Sequence, residues 1–203
     1  MSLTLYHCTL SRSMRVLWAL EEMGLDYELV PLKFPPRVHH KDFKLINPLG
    51  TVPCFVDGDL VMTESSGIVQ FLTEKYGPTD LGVRSDETDY GNYVNWLHRS
   101  DSTLTFPQTL YFRYAQLEPE ERRVPQVAQD YRTWFLARLR SVESALKERR
   151  YLCCDRFTAA DICVGYALQF AQDLGIHEAF QPFTKDWWDR ITSREAYKKI
   201  VKI

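Results

Sequence analysis

Residues able to do chemistry gather in two short stretches of this 203-residue chain. The first is Cys8-Thr9-Leu10-Ser11-Arg12-Ser13, between an apolar run and a helical pattern through Arg15. A thiol or hydroxyl at a helix start lies beside free backbone N–H groups, which favour an anion. The second stretch runs from Asn47 to Phe71. There Val52-Pro53 enters a strand, Cys54-Phe55-Val56, Asp57-Gly58 is a hairpin-turn pair, and Leu60-Val61-Met62 returns. Thr63-Glu64-Ser65-Ser66 then opens a helix. A Val-Pro pair at such a place can be a cis peptide, which turns a backbone N–H and C=O outward together. Two hydroxyls, a carboxylate and exposed helix N–H groups beside it could pair with a peptide backbone and hold its carboxylate. That surface suits a small acidic peptide.

The elements that must position these groups follow from periodicity. Leu3 to Tyr6 is a short strand, and Met14 to Met23 is helical, with Met14, Leu17 and Trp18 on one face. Gly24 stops that helix, and Tyr27 to Val30 is a second strand. Lys33 to Ile46 is a loop with a short helix, followed by the hairpin and a helix from Ser65 to about Tyr76. The order β-α-β-α-β-β-α resembles the thioredoxin fold, with a mixed sheet because the hairpin is antiparallel. Gly77-Pro78 breaks the last helix, and residues 78–88 read as a linker. Beyond it strand signals vanish, and helical patterns fill 89–116, 124–148, 158–174 and 184–200. Phe106-Pro107 should kink or break the first of these. Thr158-Ala159-Ala160-Asp161 has the form of a capping box. The expected architecture is therefore an α/β thioredoxin-like domain over 1–77 and an all-α helical bundle domain over 89–203.

Composition narrows the function classes. Apolar residues make up 45% and charged residues 26%, ordinary for a soluble globular protein. A net charge of −2 with scattered basic residues argues against general nucleic-acid or anionic-membrane binding. No apolar run approaches the roughly 18–20 residues of a membrane span. The start, Met1-Ser2-Leu3-Thr4, lacks a basic residue followed by an apolar signal segment, so a cytoplasmic location is expected. The five cysteines follow no metal-ligand spacing and are read as reduced thiols, mostly packed as small apolar groups. No metal is expected.

Three segments carry a family resemblance. "NPLGTVPCFVDGD" followed by "TESSGIVQFL" resembles the glutathione-binding half of the soluble (cytosolic) glutathione S-transferase superfamily. "LYHCTLSRSMRVLWALEEMGLDYELV" resembles its first strand and helix, and "RFTAADICVGYAL" its helical second half. The matches keep their order across nearly the whole chain, and the Ser11–Arg15 spacing looks like the serine-type, bacterial-like members. The resemblance implies a homodimeric enzyme that takes glutathione as co-substrate and conjugates its thiolate to a hydrophobic electrophile, as in detoxification.

Residue by residue, the resemblance puts the activating hydroxyl at Ser11, with Ser13 as an alternative two residues on. Cys8 opens a C-x-x-S and supports a different chemistry, a mixed disulfide with glutathione as in a thiol transferase or peroxidase, although Thr9 replaces the Pro that commonly follows such a cysteine. Val52, before Pro53, would bond the cysteinyl backbone, while Glu64 and Ser65 would hold the γ-glutamyl ammonium and carboxylate. His39, His40 or Lys41 would reach the glycyl carboxylate. Asp101 would extend into the neighbouring subunit's glutathione site. The electrophile pocket is expected between the domains, from Leu10, Arg12, Leu104, Pro107, Leu110, Tyr111 and Tyr114. A third reading, from another class, is a non-catalytic interaction protein built on the same architecture.

Overall fold

Leu3–His7 forms β1, and its inward residues Leu3, Leu5 and His7 are buried. The computed structural model describes residues 3–203; Met1 and Ser2, part of the N-terminal stretch read above for a signal segment, lie outside the described residues. β1 pairs in parallel with β2 (Tyr27–Pro31) and antiparallel with β3 (Cys54–Asp57), which pairs antiparallel with β4 (Leu60–Met62). The sheet order is β2-β1-β3-β4, the mixed sheet expected from the hairpin. The turn itself is Gly58-Asp59, because Asp57 is still paired with Leu60. The Asp57 carboxylate instead accepts from Lys75 Nζ at 2.7 Å and Tyr76 Oη at 2.8 Å.

Two helices carry the functional segments. α1 (Ser13–Met23) buries every residue from Ser13 to Leu20, and α3 (Ser65–Lys75) packs against it. Between them lie α2 (Pro36–His39) and a 3-10 turn over Lys41–Leu45. Gly24 ends α1 at φ 62°, a left-handed conformation that a side chain makes costly.

The chain divides into two compact units, residues 3–82 with Ser193–Ile203, and Val83–Thr192. In the second unit, residues 90–117 form one helical run whose hydrogen-bonding pattern changes along its length. α4 (Tyr90–Arg99) passes into a π turn over Ser100–Thr105, then α5 (Phe106–Phe112) and a second π turn over Arg113–Leu117. The break expected at Phe106-Pro107 is thus a widened turn placed just before it. Pro107 has no N–H to give, and side-chain donors reach two carbonyls of the widened turn before it. Thr105 Oγ1 donates to the Ser100 carbonyl at 2.7 Å, and Gln108 Nε2 to that of Leu104 at 3.0 Å. Gln108 Nε2 also reaches the Ala167 carbonyl, at 2.9 Å.

α6 (Pro125–Leu146), α7 (Ala159–Asp173) and α8 (Pro182–Thr192) complete this unit. The helix expected over 184–200 is therefore two. Arg194 is extended (φ −68°, ψ 143°), and α9 (Glu195–Ile200) packs on α1 within the first unit. The Trp18 and Tyr197 rings meet tilted, centroids 4.8 Å apart, Arg194 meets Glu22 through two 2.7 Å bonds, and Lys199 Nζ reaches Glu21 at 2.7 Å. These contacts separate the last eleven residues from the helices that precede them in sequence.

The capping box at the start of α7 is present, and its acid does more than cap. Asp161 is fully buried and accepts from the Thr158 N–H at 2.9 Å, the Thr158 hydroxyl at 3.2 Å, the Leu152 N–H at 3.1 Å and Trp187 Nε1 at 2.8 Å. Burial raises its carboxyl to about 6. Thr158→Ala should cost about 1 kcal/mol, the usual value of a cap. Asp161→Ala also strands two buried donors and should cost roughly 3 kcal/mol or more. Denaturant midpoints of the two variants would check this; equal losses would mean that Asp161 acts only as a cap.

Candidate functional site

The turn between β1 and α1 is closed by its own backbone. Leu10 stands at φ 60°, an uncommon conformation for a non-glycine residue. It lets the Ser11 N–H return to the Cys8 carbonyl at 3.2 Å, while the Ser11 carbonyl accepts the Met14 N–H at 3.0 Å. Ser11 therefore sits at the helix entrance, half-buried, with its hydroxyl donating to the Cys8 carbonyl at 2.7 Å. Ser13 is two residues deeper and fully buried. Its hydroxyl lies 2.7 Å from that of Ser11 and 2.8 Å from His7 Nδ1, and it accepts the Cys8 N–H at 3.3 Å.

Burial separates the three candidates for thiol chemistry. Cys8 is only 1% exposed, and burial pushes its thiol up to about 11, away from a thiolate at neutral pH. Ser13 presents no surface and already serves three neighbours. Ser11 alone of the three keeps access to solvent. His7 is buried beneath them, and desolvation lowers its imidazole to about 4.

Arg15, one turn beyond Ser11, is fully buried and donates through Nη1 to the Ser65 hydroxyl at 2.9 Å. This bond ties the entrance of α1 to the first residue of α3. Glu64 occupies the N-cap position of α3, yet its side chain makes no cap bond and remains exposed. The first-turn N–H groups of α3 have no intrahelical acceptors, and the Arg15 cation lies behind Ser65. Such a place favours an anion, with the Glu64 carboxylate beside it for a cation.

The approach to β3 is shaped by Asn47. Its Nδ2 donates to the Thr51 carbonyl at 2.8 Å, its Oδ1 accepts the Leu49 N–H at 3.1 Å, and its carbonyl accepts the Gly50 N–H at 2.9 Å. Gly50 has φ 60°, and a Cβ there would stand 2.8 Å from the Arg37 Cβ, so the turn needs glycine. The Val52-Pro53 bond that follows is cis, as the sequence suggested, and Val52 is half-buried.

The other expected site residues divide by exposure. His39 and Lys41 are exposed, whereas His40 Nε2 accepts the Lys33 N–H at 2.9 Å and helps hold its own loop. Leu10 is 52% exposed and Arg12 half-buried. In the second unit Leu110, Tyr111 and Tyr114 are half-buried, and Asp101 lies half-buried in the π turn. Leu104 and Pro107 are buried. Sequence reasoning left His7 and Arg15 out of the site. A cation inside the apolar face of α1 was the available signal, since a buried charge needs a partner; His7 carried none.

With this geometry in place, known proteins can be compared. The family described as "Glutathione S-transferase, N-terminal domain" matches residues 5–84, and "Glutathione S-transferase, C-terminal domain" matches residues 110–195. The chain belongs to the glutathione S-transferase family. Glutathione S-transferase 3 of Zea mays is 32% identical over 98% of this chain and 93% of its own length. The crystal structure of glutathione transferase F7 from Populus trichocarpa superposes with a TM-score of 0.84 at 25% identity, covering 98% of each chain. Ure2p5 of Phanerochaete chrysosporium, cocrystallized with 1-(S-glutathionyl)-2,4-dinitrobenzene, gives a TM-score of 0.86 at 25% identity over 99% of this chain and 93% of that one. These three are plant and fungal, and a bacterial glutathione transferase, BphK, shares the fold at a TM-score of 0.87 and 24% identity, covering 98% of each chain.

The buried imidazole sets an acid limit. The His7 pKa is lowered from 6.5 in the unfolded chain to about 4, so between these values only the unfolded chain takes up the proton. Stability from this group is present above about 6.5 and falls as pH drops towards 4, by about 3 kcal/mol in total. Urea midpoints at several pH values should fall less steeply in His7→Phe; superimposable profiles would show that His7 is not the group responsible.

Proposed function

We propose that this glutathione transferase is a serine-type enzyme, in which Ser11 stabilises the thiolate of glutathione for attack on a hydrophobic electrophile. The observation that carries the assignment is exposure: of the three candidates Ser11, at the entrance of α1, is accessible, while Cys8 and Ser13 are buried. A free thiol has a pKa near 8.5 and is roughly 3% ionised at pH 7. Lowering that pKa by about two units requires about 2.7 kcal/mol of preferential anion stabilisation. A hydrogen bond to a charged group supplies roughly 1.5–3 kcal/mol, and a helix N-terminus up to about 1. One hydroxyl at a helix start is sufficient.

The remaining groups fit the tripeptide by chemistry. The Ser65 hydroxyl and the first N–H groups of α3, with Arg15 behind them, suit the γ-glutamyl carboxylate, and the free Glu64 carboxylate suits its ammonium. Val52 offers a backbone N–H and C=O to the cysteinyl residue. His39 and Lys41, exposed and basic, suit the glycyl carboxylate better than His40, whose Nε2 is occupied. The electrophile is assigned by class, on the precedent of the dinitrobenzene conjugate bound by Ure2p5. A homodimer, with Asp101 reaching the partner's glutathione, and a cytoplasmic location complete the reading. The burial of Cys8 speaks against thiol exchange, and the peptide-shaped anion site against a pure interaction protein.

Conjugation of a chlorodinitrobenzene-type electrophile tests the assignment. Ser11→Ala should lower kcat/KM about 10- to 100-fold, the value of one charge-assisted hydrogen bond. Cys8→Ser should stay within about twofold. Ser65→Ala should raise the glutathione KM roughly tenfold while changing kcat little. Full activity in Ser11→Ala, or its loss in Cys8→Ser alone, would overturn the proposal.

A further inference from the structure

Beneath the accessible serine lies a hydrogen-bonded row that the thiolate assignment does not use. His7 Nδ1, Ser13 Oγ, Ser11 Oγ and the Cys8 carbonyl follow one another at 2.8, 2.7 and 2.7 Å. Each hydroxyl has one proton to give, and a neutral imidazole has one N–H. The carbonyl has none, so the Ser11–Cys8 contact can be filled only by the Ser11 proton. The Ser11–Ser13 contact must then be donated by Ser13, and the Ser13–His7 contact by the His7 Nδ1–H. Ser13 Oγ thereby gives one proton and accepts two, from His7 and from the Cys8 N–H at 3.3 Å. The three short contacts of the row close in this direction, and only the longer approach of Ser13 Oγ to the Cys8 carbonyl, at 3.3 Å, is left without a proton of its own. Reversed, Ser11 would donate to Ser13 and leave two oxygens 2.7 Å apart with no proton between them.

We infer that His7 and Ser13 are positioning residues, a buried relay that keeps the Ser11 proton from turning inward to Ser13 and leaves it available to the glutathione sulfur. The inference rests on Ser11 being the thiolate's donor. A thiolate arriving at Ser11 takes the proton now resting on the Cys8 carbonyl, and that carbonyl keeps the Ser11 N–H at 3.2 Å. No other bond in the row changes. Donation into Ser11 Oγ also polarises its O–H and strengthens the bond it gives. The burial that keeps His7 neutral gives it a single N–H, which the row assigns to Nδ1. Ser11 without this support could turn its proton inward to Ser13, and the sulfur would meet lone pairs.

The test reads the thiolate directly. Glutathione bound to the full-length protein is titrated by the ultraviolet thiolate band in wild type, His7→Phe, Ser13→Ala and Ser13→Thr. Binding of S-methylglutathione, which has no thiol, is measured by calorimetry alongside. Loss of the relay should raise the apparent pKa of the bound thiol by about half a unit, a roughly threefold fall in the thiolate-to-thiol ratio. S-methylglutathione affinity should remain within about twofold. Ser13→Thr keeps the hydroxyl and should behave as wild type, and the double variant should be no worse than the more affected single one. His7→Phe preserves the Cys8 N–H acceptor, so it remains readable if Ser13→Ala fails to fold. Variants with wild-type thiolate pKa, or with losses that simply add, would overturn the relay while leaving Ser11 in place. Absence of a thiolate band in wild type itself would remove the Ser11 assignment and the relay with it.

Discussion

A buried guanidinium organises the first unit. Arg15 sits with no exposed surface in the apolar face of α1, where an unpaired charge would be expensive. Its bond to the Ser65 hydroxyl brings the entrances of two helices together: one carries Ser11, the other the anion-favouring start of α3. The hydroxyl proposed to activate the thiol and the proposed anchor for the substrate's carboxylate therefore come as a pair. If the anchor moved relative to the hydroxyl, the sulfur would be held out of reach, and proximity is a large part of what such an enzyme supplies.

The second unit solves a related problem with buried carboxylates. Asp161 and Glu143 are both deeply buried, and the bonds described for each come from backbone N–H, hydroxyl and indole donors. Glu143, on α6, accepts the Phe183 and Thr184 N–H groups and the Thr184 hydroxyl, satisfying the first donors of α8. Asp161 joins the start of α7 to Trp187 on α8. Each acid closes a helix start from outside that helix or fastens it to a neighbour. The helices are thus located by directional bonds as well as by apolar packing, which by itself specifies contact poorly.

Much of this was legible along the chain because the responsible interactions are local. The hairpin follows from alternation and a turn pair, the end of α1 from Gly24, and the start of α7 from a motif spanning four residues. The thioredoxin-like order, the helical second half and the cis Val52-Pro53 bond were also readable. The path of the C-terminus was not. Periodicity continues from 184 to 200, but the direction of α9 depends on Trp18, Glu21 and Glu22, more than 170 residues earlier in the case of Arg194 with Glu22.

The candidate site divides in the same way. Residue types and spacing were enough to single out Cys8, Ser11 and Ser13, the Val52-Pro53 edge, and Glu64 with Ser65, because helix starts and turns announce themselves in a few residues. The sequence favoured Ser11 over Ser13 and Cys8 through the family resemblance and through Thr9 standing where a Pro commonly follows a reactive cysteine. Burial ranks them, and burial is a property of everything packed around a side chain, whatever its sequence neighbours are. The His7 row and the Arg15–Ser65 bond emerged only in three dimensions. A hydrogen bond needs its partners within about 3 Å, and folding alone brings residues 50 positions apart to that distance.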